Sequence, residues 1–138
     1  MSESCAMICI INMTKNRSGF EKDVEKLQKT CKIIDFQLYN DIVHSDLRKN
    51  EIKLLMKRFS KESTQIARIV IFMGHGNKTA LVDGIGEEFD YNEYILKFFN
   101  SQKAEHLIET AKIFIFQACR GARSVLQNDD VRWISDRN

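Results

Sequence analysis

With 138 residues, 43% hydrophobic and 29% charged, the chain has the length of one domain and the composition of an ordinary globular protein. Its net charge of +2 is spread over both signs along the sequence, which excludes the basic stripe of a nucleic-acid or membrane-surface binder. No apolar run approaches the length of a membrane span, and Met1-Ser2-Glu3-Ser4 does not open a secretory leader, so a cytoplasmic location is expected.

The first predicted element is a buried strand over residues 6–11, followed by a turn at Thr14-Lys15-Asn16. Ser18 and Glu21 have the spacing of a capping box, and Phe20, Val24, Leu27 and Cys31 recur at helical intervals, predicting a helix from residue 19 to about 32. Ile34, Phe36 and Leu38 alternate as a second strand. Ser45 is the expected cap of a second helix, whose apolar face carries Leu47, Leu54, Leu55, Met56 and Phe59. A second buried run, Ile69 to Met73, ends at Gly74-His75-Gly76. Residues 80–82 and 85–89 flank an Asp83-Gly84 turn and predict a hairpin. Asp90 and Glu93 start a helix that shares Tyr91, Ile95, Phe98 and Phe99 on one face.

A third apolar run, Ile113 to Phe116, leads into Gln117-Ala118-Cys119-Arg120-Gly121. Beyond it the sequence turns polar, and residues 124–138 are expected to be a poorly ordered tail. Alternation of strands and helices predicts an α/β domain over residues 1–123. Its architecture is three-layered, a mostly parallel central sheet with helices on both faces.

Ligands and reactive groups in open parallel sheets gather beyond the carboxyl ends of the strands. Cys119 and His75 each follow such an end. Either alone is ordinary, since free cysteine is usually buried and a histidine between glycines is usually a turn residue. Together they could form a thiol and the imidazole that activates it. Gly76 adds a backbone donor with no side chain in the way, suited to an oxyanion. Cys5, Cys9, Cys31 and Cys119 make no Cys-x-x-Cys pair or Cys/His cluster, so neither a metal nor another cofactor is expected. The loop from Gly74 to Thr79 lacks the glycine before lysine of a phosphate loop, which excludes nucleotide binding of that kind. His44 and His106 read as surface residues.

The run Gln117-Ala118-Cys119-Arg120-Gly121, with His75-Gly76 upstream, resembles the signature of the caspases. Arg17-Ser18-Gly19 with Asp23-Val24 is similar to another stretch of that family. The resemblance implies a caspase-like fold and a cysteine endopeptidase large subunit that cleaves after aspartate in apoptosis or related signalling. It implies Cys119 as nucleophile, His75 as its base, Gly76 and the Cys119 N–H as oxyanion donors, and Arg17 and Gln117 as the pocket for the substrate's aspartate. In the family a backbone carbonyl just before the arginine orients the histidine. Lys15 stands there, on a connection shorter than in most relatives, and Gly74 replaces the usual serine.

The resemblance also implies partners: protein substrates, a small subunit that continues the sheet beyond Ile113–Phe116, and dimerisation with a second caspase unit. The sequence stops after the first half of such an enzyme. Its tail, with Asp129, Asp130 and Asp136, resembles an intersubunit linker, and without a small subunit the edge of the last strand is expected to be open and prone to self-association. The alternative is a non-catalytic caspase-like decoy or regulator that pairs with other caspases.

Overall fold

The structure, a computed structural model, describes residues 6–15, 17–62, 67–77, 80–100 and 111–118, and the backbone of 124–126 and 131–135. Its centre is formed by the three apolar runs. β1 (Ala6–Asn12) and β4 (Ala67–Gly74) are buried along their whole length, and β7 (Ala111–Ala118) lies on the other side of β4. All three are parallel. Residues buried on both faces cannot alternate apolar with polar, which is why these strands read as continuous hydrophobic runs.

Two short strands, β2 (Gln37–Leu38) and β3 (His44–Ser45), share the outer edge of β1, pairing with Met7–Ile8 and Ile11–Asn12 respectively. A separate antiparallel hairpin joins β5 (Ala80–Val82) to β6 (Glu88–Asp90). The order across the main sheet is β2-β1-β4-β7-β9-β8, where β8 is Ser124–Leu126 and β9 is Val131–Ser135.

Side-chain alternation sorts the sheet into two faces. Ala6, Ile8, Ile10, Ile69, Ile71 and Met73 pack with Cys31, Val24 and Leu27 of helix α1 (Phe20–Ile33). Met7, Cys9, Ile11, Val70, Phe72, Phe114 and Phe116 face Ile52, Leu55, Met56 and Phe59 of helix α2 (Lys49–Phe59) and the segment 91–99. This second face is an aromatic relay. Phe59 meets Phe99 at 6.0 Å between ring centres, Phe99 meets Phe114 at 5.1 Å, and Tyr91 meets Phe116 at 5.8 Å. Such pairs add about 0.5–1.5 kcal/mol each beyond simple burial and tie the helical layer to β7. The three-layer, mostly parallel architecture expected from the sequence is therefore present. No helix among the described residues is long and apolar enough to cross a membrane.

Several local expectations are corrected. Ser18 does not cap α1: Gly19 occupies the cap position in a left-handed conformation, and no side chain bonds there. The strand expected over Ile34–Leu38 shrinks to Gln37–Leu38 because α1 runs on to Ile33 and then turns through Asp35 at φ 58°, leaving Ile33 83% exposed. Ser45 belongs to β3, and α2 starts later. There Glu51 accepts from the Arg48 N–H at 2.9 Å while the distant Asp83 accepts from the Lys49 N–H at 2.9 Å. A carboxylate from another loop thus serves an orphan donor of the helix start. The helix expected over 91–99 is split: α3 (Tyr91–Tyr94), capped by Asp90 through the Asn92 N–H, gives way at Ile95 to a 3₁₀ turn over Leu96–Phe99.

The largest correction concerns the edge of β7. That edge is paired: β9 runs parallel to β7 from Lys112↔Val131 to Phe116↔Ser135, and β8 pairs antiparallel outside β9. The tail expected to be poorly ordered therefore contributes two strands. Within that largely polar tail the two strands carry Val125, Leu126, Val131, Trp133 and Ile134, residue types suited to a sheet.

His44, expected at the surface, is half-buried, and its Nε2 has no hydrogen-bond partner. Burial lowers its pKa below the ordinary 6.5, while bonding to the Tyr39 backbone pushes the opposite way. The folded chain then holds His44 neutral where the unfolded chain takes up a proton. Stability attributable to this group is present above pH 6.5 and falls as the pH drops through that value toward the folded-state pKa. Urea denaturation at a series of pH values should show this extra acid loss in the wild type and not in His44→Gln; equal slopes in the two would contradict it.

Candidate active site

The parallel pairing of β4 with β7 runs without interruption from Ala67↔Ala111 to Gly74↔Ala118. The two strands therefore end level. His75 is the next residue after one end and Cys119 the next after the other; Cys119 itself, with Arg120 and Gly121, lies outside the described residues.

His75 is held from two directions. Its main-chain carbonyl accepts from the Val82 N–H at 2.9 Å, and Asn77 N–H donates to the Ala80 carbonyl at 2.8 Å, so strand β5 supports the whole turn. Gly76 lies opposite Leu81 between those two bonds. In an antiparallel ladder this is the non-hydrogen-bonded pair, whose N–H and C=O point away from the partner strand. The Gly76 N–H is thus left out of the ladder. On the ring side, His75 Nε2 lies 3.0 Å from the Lys15 carbonyl oxygen. A carbonyl oxygen only accepts, so Nε2 carries the hydrogen, and the neutral ring keeps its lone pair on Nδ1. The shortened connection after β1 nonetheless delivers Lys15 to the histidine.

Arg17 is anchored at the same end of the sheet. Its Nη1 donates to Asn12 Oδ1 at 2.7 Å, to the Met13 carbonyl at 2.6 Å and to the Met73 carbonyl at 3.3 Å. Because a guanidinium only donates, the side-chain atom of Asn12 facing it must be the oxygen. Met73 is also the register partner of Gln117, which is half-buried. The structure thus brings His75, Gly76, Arg17 and Gln117 to the carboxyl end of β4 and β7.

Gly74 is packed tightly. A Cβ there would come within 2.9 Å of the Phe72 ring and 3.1 Å of the Met13 side chain. This accounts for a glycine at the position where the sequence resemblance leads one to expect serine. Asn12, only 2% exposed at the end of an apolar strand, went unrecognised in the sequence; a buried amide closing a hydrophobic run was the available signal.

The other described cysteines sit away from this edge. Cys9 is fully buried in β1, and burial pushes its thiol far above the usual range. Cys31 is 5% exposed on α1, and burial raises its pKa as well, against a backbone hydrogen bond that lowers it. Neither has the electropositive, accessible setting of a reactive thiolate. Among the described residues no group of three or more His, Cys, Asp or Glu side chains is arranged to hold a metal ion.

A model of the caspase domain matches residues 3–135 of the chain. The chain belongs to the caspase family. It is 31% identical over 125 residues to caspase-3 of Mesocricetus auratus, a match covering 83% of this chain and 43% of that protein. To caspase b of Danio rerio it is 31% identical over 128 residues, covering 87% of this chain and 31% of the other. A crystal structure of caspase-1 from Spodoptera frugiperda shares the fold with a TM-score of 0.75 at 22% identity, over 91% of this chain and 53% of that one. This caspase-family chain therefore spans less than half the length of the curated relatives it matches. The family match runs to residue 135 and so includes β8 and β9.

The burial of Cys9 and Cys31 has a direct consequence. Brief treatment of the native chain with iodoacetamide should leave both unmodified, whereas denaturation first should expose both, as read by peptide mass spectrometry. Rapid native modification of Cys9 would contradict its placement in the core.

Proposed function

We propose that this chain is the large-subunit part of a cytoplasmic cysteine endopeptidase that cleaves after aspartate, acting in apoptosis or related proteolytic signalling. The observation that carries this reading is the bond between His75 Nε2 and the Lys15 carbonyl. It consumes the ring hydrogen and leaves Nδ1 as the basic nitrogen, the state a general base requires. In the proposed reaction, Cys119 Sγ forms a bond to the carbonyl carbon after a substrate aspartate as its thiol proton passes to His75. The Gly76 and Cys119 N–H groups hold the oxyanion, and the proton then goes to the departing amine as the C–N bond breaks. Water hydrolyses the resulting thioester and regenerates the thiol.

Selectivity for aspartate is assigned to Arg17 and Gln117. The described side-chain hydrogen bonds of Arg17 fall on Nη1, and they orient a guanidinium that can grip a carboxylate with two charge-assisted bonds. A small subunit and dimerisation with a second caspase unit complete the proposed enzyme. Asp129, Asp130 and Asp136 are candidate processing positions within residues 124–138, an intersubunit linker in this reading.

A second reading, a non-catalytic caspase-like regulator that pairs with other caspases, is favoured by one observation. The chain's own β9 lies along β7, at the edge assigned to small-subunit strands. One experiment separates the two: hydrolysis of an aspartyl reporter peptide by the chain with and without a caspase small subunit, and by an active caspase with and without the chain. The peptidase reading expects hydrolysis that Cys119→Ala abolishes. Hydrogen bonds to charged groups are worth about 1.5–3 kcal/mol each, so Arg17→Ala should lower kcat/KM by roughly tenfold or more. Absence of hydrolysis by the chain both with and without the small subunit, together with altered activity of the added caspase, would establish the regulator instead.

A further inference from the structure

We infer that Asp46 is a positioning residue for His75, acting through the turn that follows β1. His75 Nε2 lies 3.0 Å from the carbonyl of Lys15, and Lys15 sits on an exposed turn. That turn is pinned from outside the active-site edge. Both carboxylate oxygens of Asp46 bind Thr14, Oδ1 accepting from the Thr14 N–H at 2.7 Å and Oδ2 from its hydroxyl at 2.7 Å. The Asp46 N–H in turn donates to the Asn12 carbonyl at 2.8 Å. Thr14 and Asp46 are thus clamped at three points, one residue before the carbonyl that fixes the histidine.

The clamp also reaches the substrate side. The Thr14 carbonyl accepts from the Arg17 N–H at 3.2 Å, so the residue held by Asp46 sets the turn carrying the arginine. One carboxylate therefore governs the placement of both Lys15 and Arg17.

Asp46 is itself held in an uncommon conformation, with φ 55°. Aspartate tolerates the left-handed region better than most residues but not without cost. The hairpin loop keeps it there. Gly84 lies so close that a Cβ would stand 2.1 Å from the Asp46 carbonyl oxygen, and the Gly84 N–H donates to the Leu47 carbonyl at 2.8 Å. Asp83 next to it is 3% exposed and accepts from the N–H groups of Lys49, Ile85 and Glu87. A path of contacts thus runs from the hairpin through Asp46 and Thr14 to Lys15 and the histidine ring.

The catalytic meaning of this device rests on the proposed role of His75, but the device can be read without any activity. The test is ring-nitrogen NMR of the 138-residue chain carrying ¹⁵N-histidine, at a pH where His75 is neutral. The wild type should show His75 as a single tautomer with hydrogen on Nε2. Asp46→Asn keeps an oxygen for the Thr14 N–H, lets the Thr14 hydroxyl accept instead of donate, and suits the left-handed backbone, so it should retain that signature. Asp46→Gly relieves the backbone and removes the clamp, so the two ring-nitrogen shifts should converge toward the mixed tautomers of a free imidazole. Thr14→Val removes only the hydroxyl bond and should move the shifts part of the way.

Backbone amide signals of Ile69 to Phe72 report whether the sheet is intact in each variant. A wild-type tautomer in both Asp46→Gly and Thr14→Val would overturn the inference, and if Asp46→Gly does not fold, Thr14→Val alone decides it. A responsive tautomer in a chain that never hydrolyses aspartyl peptides would overturn the proposed function and leave the role of Asp46 standing.

Discussion

The parallel ladder of β1, β4 and β7 is the constraint from which everything else follows. β1 and β4 pair over seven residues and β4 and β7 over eight, without a bulge in either ladder. Each residue added or lost in one strand would shift its end by one step and reverse the faces of all its side chains. Because the strands end level, the residues following them collect at one edge although they come from distant parts of the sequence. Burial on both faces makes this register expensive to alter, since a slipped strand would misplace a whole row of isoleucines and phenylalanines from both cores.

Around that frame, support is applied from one side. The α2 layer and the hairpin do more than cover apolar surface. Asp83 organises its own loop and the start of α2 at once, with three backbone N–H groups converging on a nearly buried carboxylate. The 3₁₀ turn and α3 join this assembly through rings and through Glu93, which meets Lys97 at 2.6 Å and Lys53 at 3.4 Å. These last pairs are exposed and contribute little to stability. The aromatic contacts and the buried carboxylate carry the connection between layers.

The central strands were legible in the sequence because burial on both faces leaves unbroken runs of Ile, Val and Phe, as in Ile69 to Met73. The hairpin was legible from Asp83-Gly84. Asp90 was legible as the cap of α3, but the starts of α1 and α2 were not. Ser18 and Ser45 have the right chemistry for caps, yet Gly19 and the pairing of Ser45 with Asn12 take the chain elsewhere. A local capping preference of about 1 kcal/mol yields readily to strand pairing. The margin of the sheet was misread for the opposite reason. β8 and β9 are short apolar segments set among polar residues, and their pairing depends on an edge that local sequence does not display.

At the candidate site the groups named by motif were readable and the groups that hold them were not. His75, Gly76 and Arg17 announce themselves by their neighbours. Asn12 and Asp46 do not, because their partners lie on other elements: Asp46 is bound to Thr14 across 32 positions of sequence. The Lys15 carbonyl is invisible in a further sense, since any residue type supplies one. Its role depends only on where the turn puts it.

The place of β7 in the sheet has a consequence for how the molecule is made. β4 is the middle partner of the three long strands, yet the strand that covers its second edge is synthesised about forty residues later. At roughly 5–20 residues per second, a ribosome takes about 2–8 s to make that interval. During that time β1 and β4 can pair and α1 can close over one side, while the backbone edge of a largely apolar strand waits for its neighbour. Such an edge is a template for any other extended chain. The order of strands that aligns the site so well therefore makes the newborn chain most dependent on protection late in its synthesis, just before the signature segment emerges.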